Sequence, residues 1–150
     1  MGGFPHEKRL LELLGEAAGL AEQVAGMAEE QSAMLAADDL DGFNKSLDEG
    51  QGIINRINGL HQESEALMQS YASFAISADG GKIETIDAAT ARFVEILERC
   101  AALNNRNLAE AKEKTEEFIR QIGSLSLKRK SIGSYAMNIG NDSAFIDKKT

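Results

Sequence analysis

LLELLGEAAGLAEQVAGMAEEQSAML, residues 10–35, decides the fold. Its seam residues are Leu10, Leu13, Ala17, Leu20, Val24, Met27, Gln31 and Met34. They recur at alternating steps of three and four for more than three repeats, which is the heptad period of a helix that packs along its whole length on other helices. Small Ala17 in the seam, with Gly15, Gly19 and Gly26 beside it, predicts close approach of a neighbouring helix. Each glycine also costs about 1 kcal/mol relative to alanine in a helix, so this helix needs tertiary support.

The same period extends outward. The single proline, Pro5, suits the first turn of a helix over about residues 5–36. Asp38-Asp39-Leu40-Asp41 breaks the pattern and supplies an N-cap for a second helix over about 40–76. That helix carries Leu40, Phe43, Leu47, Ile53, Ile54, Ile57, Leu60, Leu67, Tyr71 and Phe74, and its register slips near Gly50 and Gly52, where core residues are missing. Ser77 to Lys82 reads as a turn, Thr85 as a capping candidate, and a third helix follows over about 84–131. It uses Ile86, Ala89, Phe93, Ile96, Leu97, Cys100, Leu103, Ala111, Phe118, Ile122 and Leu125. At 1.5 Å per residue such helices are about 45–60 Å long. Short turns between long helices make neighbours antiparallel. The predicted fold is all-α: an antiparallel up-down-up three-helix coiled-coil bundle with a C-terminal amphipathic tail.

Composition agrees. Apolar residues make up 43% of 150, aromatics only 5%, and there is no Trp, so the core is Leu, Ile, Ala and Met. The net charge is -8, but it is unevenly placed. Residues 1–127 hold 11 Lys/Arg and 22 Asp/Glu; residues 128–150 hold 5 Lys/Arg and 2 Asp. An acidic rod repels nucleic acid and anionic membrane, so neither is an expected partner. Glu12, Glu16 and Glu22 interrupt the first apolar stretch, which therefore reads as neither a signal peptide nor a membrane span. His6 stands where a myristoylation motif wants Ser or Thr. A cytoplasmic location is the expectation.

No chemistry is specified. Gly3 and Asn58 lie three residues before the two histidines, His6 and His61, so the Glu-x-x-His pairs of a di-iron bundle are missing. Asp79-Gly80-Gly81-Lys82 lacks the Ser/Thr pattern of a phosphate loop. His61 is followed by Gln62, Glu63, Ser64 and Glu65, an acidic setting that opposes a phosphoryl anion and so argues against a phosphotransfer bundle. The lone cysteine, Cys100, occupies a core slot and reads as a small hydrophobe. The polar run Leu103-Asn104-Asn105-Arg106-Asn107-Leu108 fixes helix register or contacts a partner. The expectation is a protein that is not an enzyme and uses no cofactor or metal.

The last quarter of the chain points to binding instead. Leu127-Lys128-Arg129-Lys130 opens a Ser/Gly/Asn-rich segment that still carries Ile132, Tyr135, Met137, Ile139, Phe145 and Ile146. Such residues are costly in a merely solvated tail. Phe118, Ile119, Ile122, Leu125 and Leu127 at the end of the third helix continue at helical spacing into Ile132, Tyr135, Ala136 and Ile139. The candidate partner-binding residues are therefore Phe118, Ile119, Ile122, Leu125, Leu127, Ile132, Tyr135, Met137 and Ile139. The expected division is a bundle over residues 1–131 and a partner-binding tail over 132–150. Gly133 and Gly140 leave that tail only marginally ordered alone, so it folds on binding, or docks on its own bundle or a second copy.

Several motifs resemble one family. They are Leu-x-x-x-Asp-Leu-Asp-Gly-Phe (Leu35 to Phe43), Leu103-Asn104-x-x-Asn107, Ser134-Tyr135 and Phe145-Ile146-Asp147-Lys148-Lys149. Together they resemble the FlgN family of flagellar type III export chaperones over nearly the whole chain, departing at Arg106-Asn107-Leu108, where family members often carry Asn-Gly. The resemblance implies a cytoplasmic chaperone that binds the C-terminal helical segments of hook-associated junction subunits, prevents their premature assembly, and delivers them to the export gate or ATPase complex. It also implies that Tyr135 docks on the export gate. The alternative is a structural or regulatory coiled coil that forms a homodimer through its tail.

Overall fold

In a computed structural model, which describes residues 3–128, the chain is all-helical. Helix α1 spans Glu7–Ala36, α2 Leu40–Ile76 and α3 Glu84–Lys128. The packing is that of a three-helix bundle, as the heptads predict. Residues 129–131, the expected end of the third helix, lie outside the described residues.

The turns follow from local chemistry. Asp38 has φ 58°, the left-handed conformation that reverses the chain after α1. Around it, Asp39 N–H donates to the Met34 carbonyl at 2.8 Å and Asp38 N–H to the Leu35 carbonyl at 3.1 Å. This pair of bonds is a Schellman cap with Asp in the place usually held by Gly. Asp39 then caps α2, its side chain accepting from Gly42 N–H at 2.9 Å. A Cβ at Gly42 would lie 2.2 Å from that carboxylate, so any larger residue there makes the capping side chain shift. Thr85 is not a cap: α3 starts one residue earlier, and the Thr85 hydroxyl donates to Glu7 at 3.3 Å.

The chain forms two compact units, Met1–Leu103 and Asn104–Thr150. In the first, α1 and α2 are antiparallel: Arg9 pairs with Glu63, and Glu16 with Arg56 at 2.9 Å. From Arg9 to Glu16 the partner on α2 moves back seven residues, in step. From Glu16 to Gln31, which bonds Ser46, α1 advances fifteen residues and α2 only ten. The difference is the reach of the long Arg and Glu side chains: the closer contacts, Phe4 with Phe74 and Met27 with Gly50, keep one register along the hairpin. The first part of α3 runs parallel to α1: Thr85–Glu7, Arg99–Glu22 and Cys100–Ala21 are separated by 78, 77 and 79 residues.

Helix α1 is the inner element of this unit. It buries twelve residues where α2 buries six, because it packs against both neighbours. The single seam read from sequence is therefore too narrow. Leu14, Ala18, Ala21, Ala25 and Ala28 are buried alongside it, while Met27 and Met34 are only half-buried. The close approach comes from these alanines. Gly15, Gly19 and Gly26 face open space, contrary to expectation. The core joins Leu10, Ala17 and Val24 to Ile57 and Tyr71 of α2 and to Ile86, Phe93, Ile96 and Cys100 of α3. Phe4 seals one end, its ring tilted against Tyr71 at 5.7 Å and Phe74 at 5.5 Å. Leu40 and Leu97, both expected in the core, are exposed.

Candidate partner-binding surface

The predicted stripe begins in the second unit, on the last turns of α3. Asn107, Ala111, Thr115 and Ile122 are buried there. Phe118 is 46% exposed and Ile119 half-buried. Phe118 lies on the same helical stripe as Ala111, Thr115 and Ile122, yet it alone of the four is left exposed. Of the three candidate residues with described side chains, Phe118 and part of Ile119 are offered to solvent. Ile122 is not: at 6% exposure it is core. Leu125 and Leu127 lie on the helical backbone of α3 with side chains outside the described residues. Ile132, Tyr135, Met137 and Ile139 lie outside the described residues altogether, as do Phe145 and Ile146.

The polar run of α3 divides by burial. Asn107 is 1% exposed and Asn104 half-buried, whereas Asn105 and Arg106 face solvent. A buried amide at a core slot specifies register, so Asn107 is a structural residue. Cys100 is likewise structural. Its thiol is buried and donates to the Ala21 carbonyl at 3.2 Å, and burial pushes its pKa up, away from the reactive thiolate. His61 is exposed on α2, and its backbone carbonyl accepts from the Ser64 hydroxyl at 2.9 Å.

A second surface was hidden from the sequence reading. Met27, Glu30 and Met34 of α1 and Gly42, Lys45, Ser46 and Glu49 of α2 line an open groove of about 400 Å³. Its cause is local. Gly42, Ser46 and Gly50 recur every four residues and place small groups on one line of α2. A Cβ at Gly50 would meet the Met27 methyl at 3.8 Å, so the methionines face this line. Large residues on α2 would have filled the space. The shortage of core residues near Gly50 was the signal, but only the pairing of α2 with Met27 and Met34 turns it into a groove. Gln31, between the two methionines, is 4% exposed and donates to Ser46 at 3.0 Å beneath.

Charge surrounds the groove unevenly. Residues 26–52 include seven acidic residues (Glu29, Glu30, Asp38, Asp39, Asp41, Asp48, Glu49) and one cation, Lys45. All seven are exposed. Among the described residues no group of three His, Cys, Asp or Glu is placed to hold a metal ion. No described helix is long and apolar enough to cross a membrane. No family model, curated protein or solved structure matches the chain.

Proposed function

We propose that the chain is an export chaperone of the FlgN type, acting in the cytoplasm without catalysis. It captures the C-terminal helical segments of hook-associated junction subunits, keeps them from assembling, and hands them to the flagellar export apparatus. The observation that carries this reading is the exposed Phe118 beside half-buried Ile119, at the head of a stripe that the sequence continues through Ile132, Tyr135 and Ile139. Nearly half of Phe118 stays open to solvent. It can cover the apolar face of a client helix in the helix-in-groove manner. Each large side chain so buried contributes about 1.5–3 kcal/mol before ordering costs, so four or five give micromolar affinity.

The family motifs support the choice of client, and Tyr135 is the residue assigned to docking on the export gate. The test is capture of purified C-terminal segments of junction proteins by the full chain and by a chain ending at Leu127. Loss of capture on truncation is expected; unchanged affinity would remove the tail from the site. Tyr135→Ala should impair delivery and spare capture. Equal loss of both would contradict that assignment. A chain that binds no junction protein yet sediments as a dimer only when full-length would instead be a structural or regulatory coiled coil.

A further inference from the structure

We propose that the acidic groove at the α1–α2 turn receives the basic, apolar segment that starts at Lys128, supplied by a second copy of the chain. The proposal rests on the reading of that segment as the binding segment, and says what it holds when no client is present. Residues 129–150 lie outside the described residues, so the occupant is argued from its sequence and the groove from its geometry.

The groove has the properties of a helix receptor. Its floor is Met27 and Met34, flexible side chains that adapt to varied apolar knobs. Gly42 and Ser46 leave depth between them, and about 400 Å³ lies within the range of ligand-binding clefts. Glu30 and Glu49 stand exposed on its two walls. Lys45, the one cation in its lining, lies one turn from Glu49. Five further acids (Glu29, Asp38, Asp39, Asp41 and Asp48) are exposed over residues 26–52 outside the lining, so this end of the hairpin disfavours other acidic parts of the chain.

One stretch of the sequence is complementary. Residues 128–150 are its only markedly basic part, with five Lys/Arg to two Asp. They combine Lys128, Arg129 and Lys130 with Ile132, Tyr135, Met137 and Ile139. The apolar residues match the methionine floor and the cations match the glutamate walls. Reciprocal exchange between two copies closes a two-fold dimer and fills both grooves. After the first insertion the second is intramolecular, so two weak contacts make one stable assembly. Because opposite charges at the groove rim draw the segment in, the dimer weakens with salt.

Sedimentation equilibrium of the full chain tests this at low and high salt. The expected result is a dimer whose dissociation constant rises at least tenfold with salt. Glu30→Lys with Glu49→Lys should weaken it at least tenfold, and so should Lys128→Glu with Lys130→Glu. Glu30 and Glu49 are exposed, and circular dichroism checks that each variant keeps its helicity. The four-site variant, with both charge sets reversed, should recover dimerisation. A chain that is monomeric under all conditions overturns the proposal, as does a four-site variant that stays monomeric. An intramolecular cross-link from segment to groove in a monomer overturns it in favour of the chain's own groove. Loss of client capture in Glu30→Lys/Glu49→Lys with no change in mass overturns it in favour of the client. Capture of the junction-protein segments is measured separately. A salt-sensitive dimer without capture removes the chaperone reading alone, and capture by a strict monomer removes this proposal alone.

Discussion

Gln31 of α1 donates to the Ser46 hydroxyl of α2 at 3.0 Å, and both side chains are buried. Gln31 Oε1 is buried with no hydrogen-bond partner among the described residues. One such bond contributes only about 0.5–1.5 kcal/mol, while an orphaned buried acceptor costs about 1–3 kcal/mol. The pair is therefore poor at stabilising and good at fixing register: sliding α2 along α1 would break the bond and bury both groups unpaired.

That balance makes a prediction. Ser46→Ala alone leaves the whole Gln31 amide without its partner and should lower stability by about 1–3 kcal/mol in urea unfolding. Gln31→Met together with Ser46→Ala removes every unsatisfied group at nearly constant volume. It should equal or exceed the parent in stability. A double variant weaker than Ser46→Ala would show that the pair stabilises the hairpin.

The glycines give the second prediction. Gly15, Gly19, Gly26, Gly52 and Gly59 are exposed on helices with nothing within 4 Å of an added Cβ. Alanine at each should raise stability by up to about 1 kcal/mol, through helix propensity alone. Gly80 is the opposite case. A Cβ there would lie 1.9 Å from the Phe74 carbonyl oxygen, so Gly80→Ala must open the turn before α3. Its neighbour Gly81 has open space, and Gly81→Ala should be tolerated. Thermal unfolding of the two variants separates them directly: a lower midpoint is expected for the first only.

Sequence and fold agree where the physics is local. Heptad spacing located all three helices, and Asp39 was legible as a cap because its carboxylate acts on an amide three residues away. The missing core residues near Gly50 were legible too, as small side chains in the middle of α2. What failed depends on two elements at once. A heptad cannot say that α1 has two neighbours, so Ala18, Ala21 and Ala25 were missed as core and Gly15 and Gly19 were wrongly given the close contact. The groove was invisible for the same reason: nothing in either helix alone pairs Met27 with Gly50. Ile122 fits an exposed stripe by spacing, yet packing buries it.

Alkaline pH should weaken the fold through two acids. Cys100 is pushed up from its ordinary 9.0, first by burial, with Arg99 opposing. Tyr71 is pushed up from 10.0, again first by burial, although its hydroxyl accepts from Ile83 N–H at 2.7 Å and donates to Asp87 at 2.8 Å. Both groups are neutral when protonated, and the folded chain holds their protons more tightly than the unfolded chain. The stability they carry is complete below pH 9 and is lost as pH rises past 9 and then past 10. Cys100→Ala with Tyr71→Phe should flatten the fall in unfolding free energy over this window. At neutral pH the Cys100 thiol should resist a thiol reagent until the chain is unfolded. Rapid labelling of the native chain would contradict its burial.

Phe118 and Ile122 lie four residues apart on α3 and should divide stability from binding. Phe118 is 46% exposed, so Phe118→Ser should lower unfolding free energy by only about 1 kcal/mol. Ile122 is 6% exposed, so Ile122→Ala removes packed methyl groups and should cost about 2–5 kcal/mol. Client capture should show the reverse order. An exposed aromatic anchor contributes about 1–3 kcal/mol to an interface, so Phe118→Ser should weaken capture of a junction-protein segment tenfold or more. Ile122→Val, which keeps the core nearly filled, should leave capture within about threefold of the parent, because no part of Ile122 faces the client. Isothermal titration of each variant, at a temperature where circular dichroism shows it folded, decides the matter. If Phe118→Ser binds as the parent does, α3 contributes no anchor and capture rests on residues beyond Lys128.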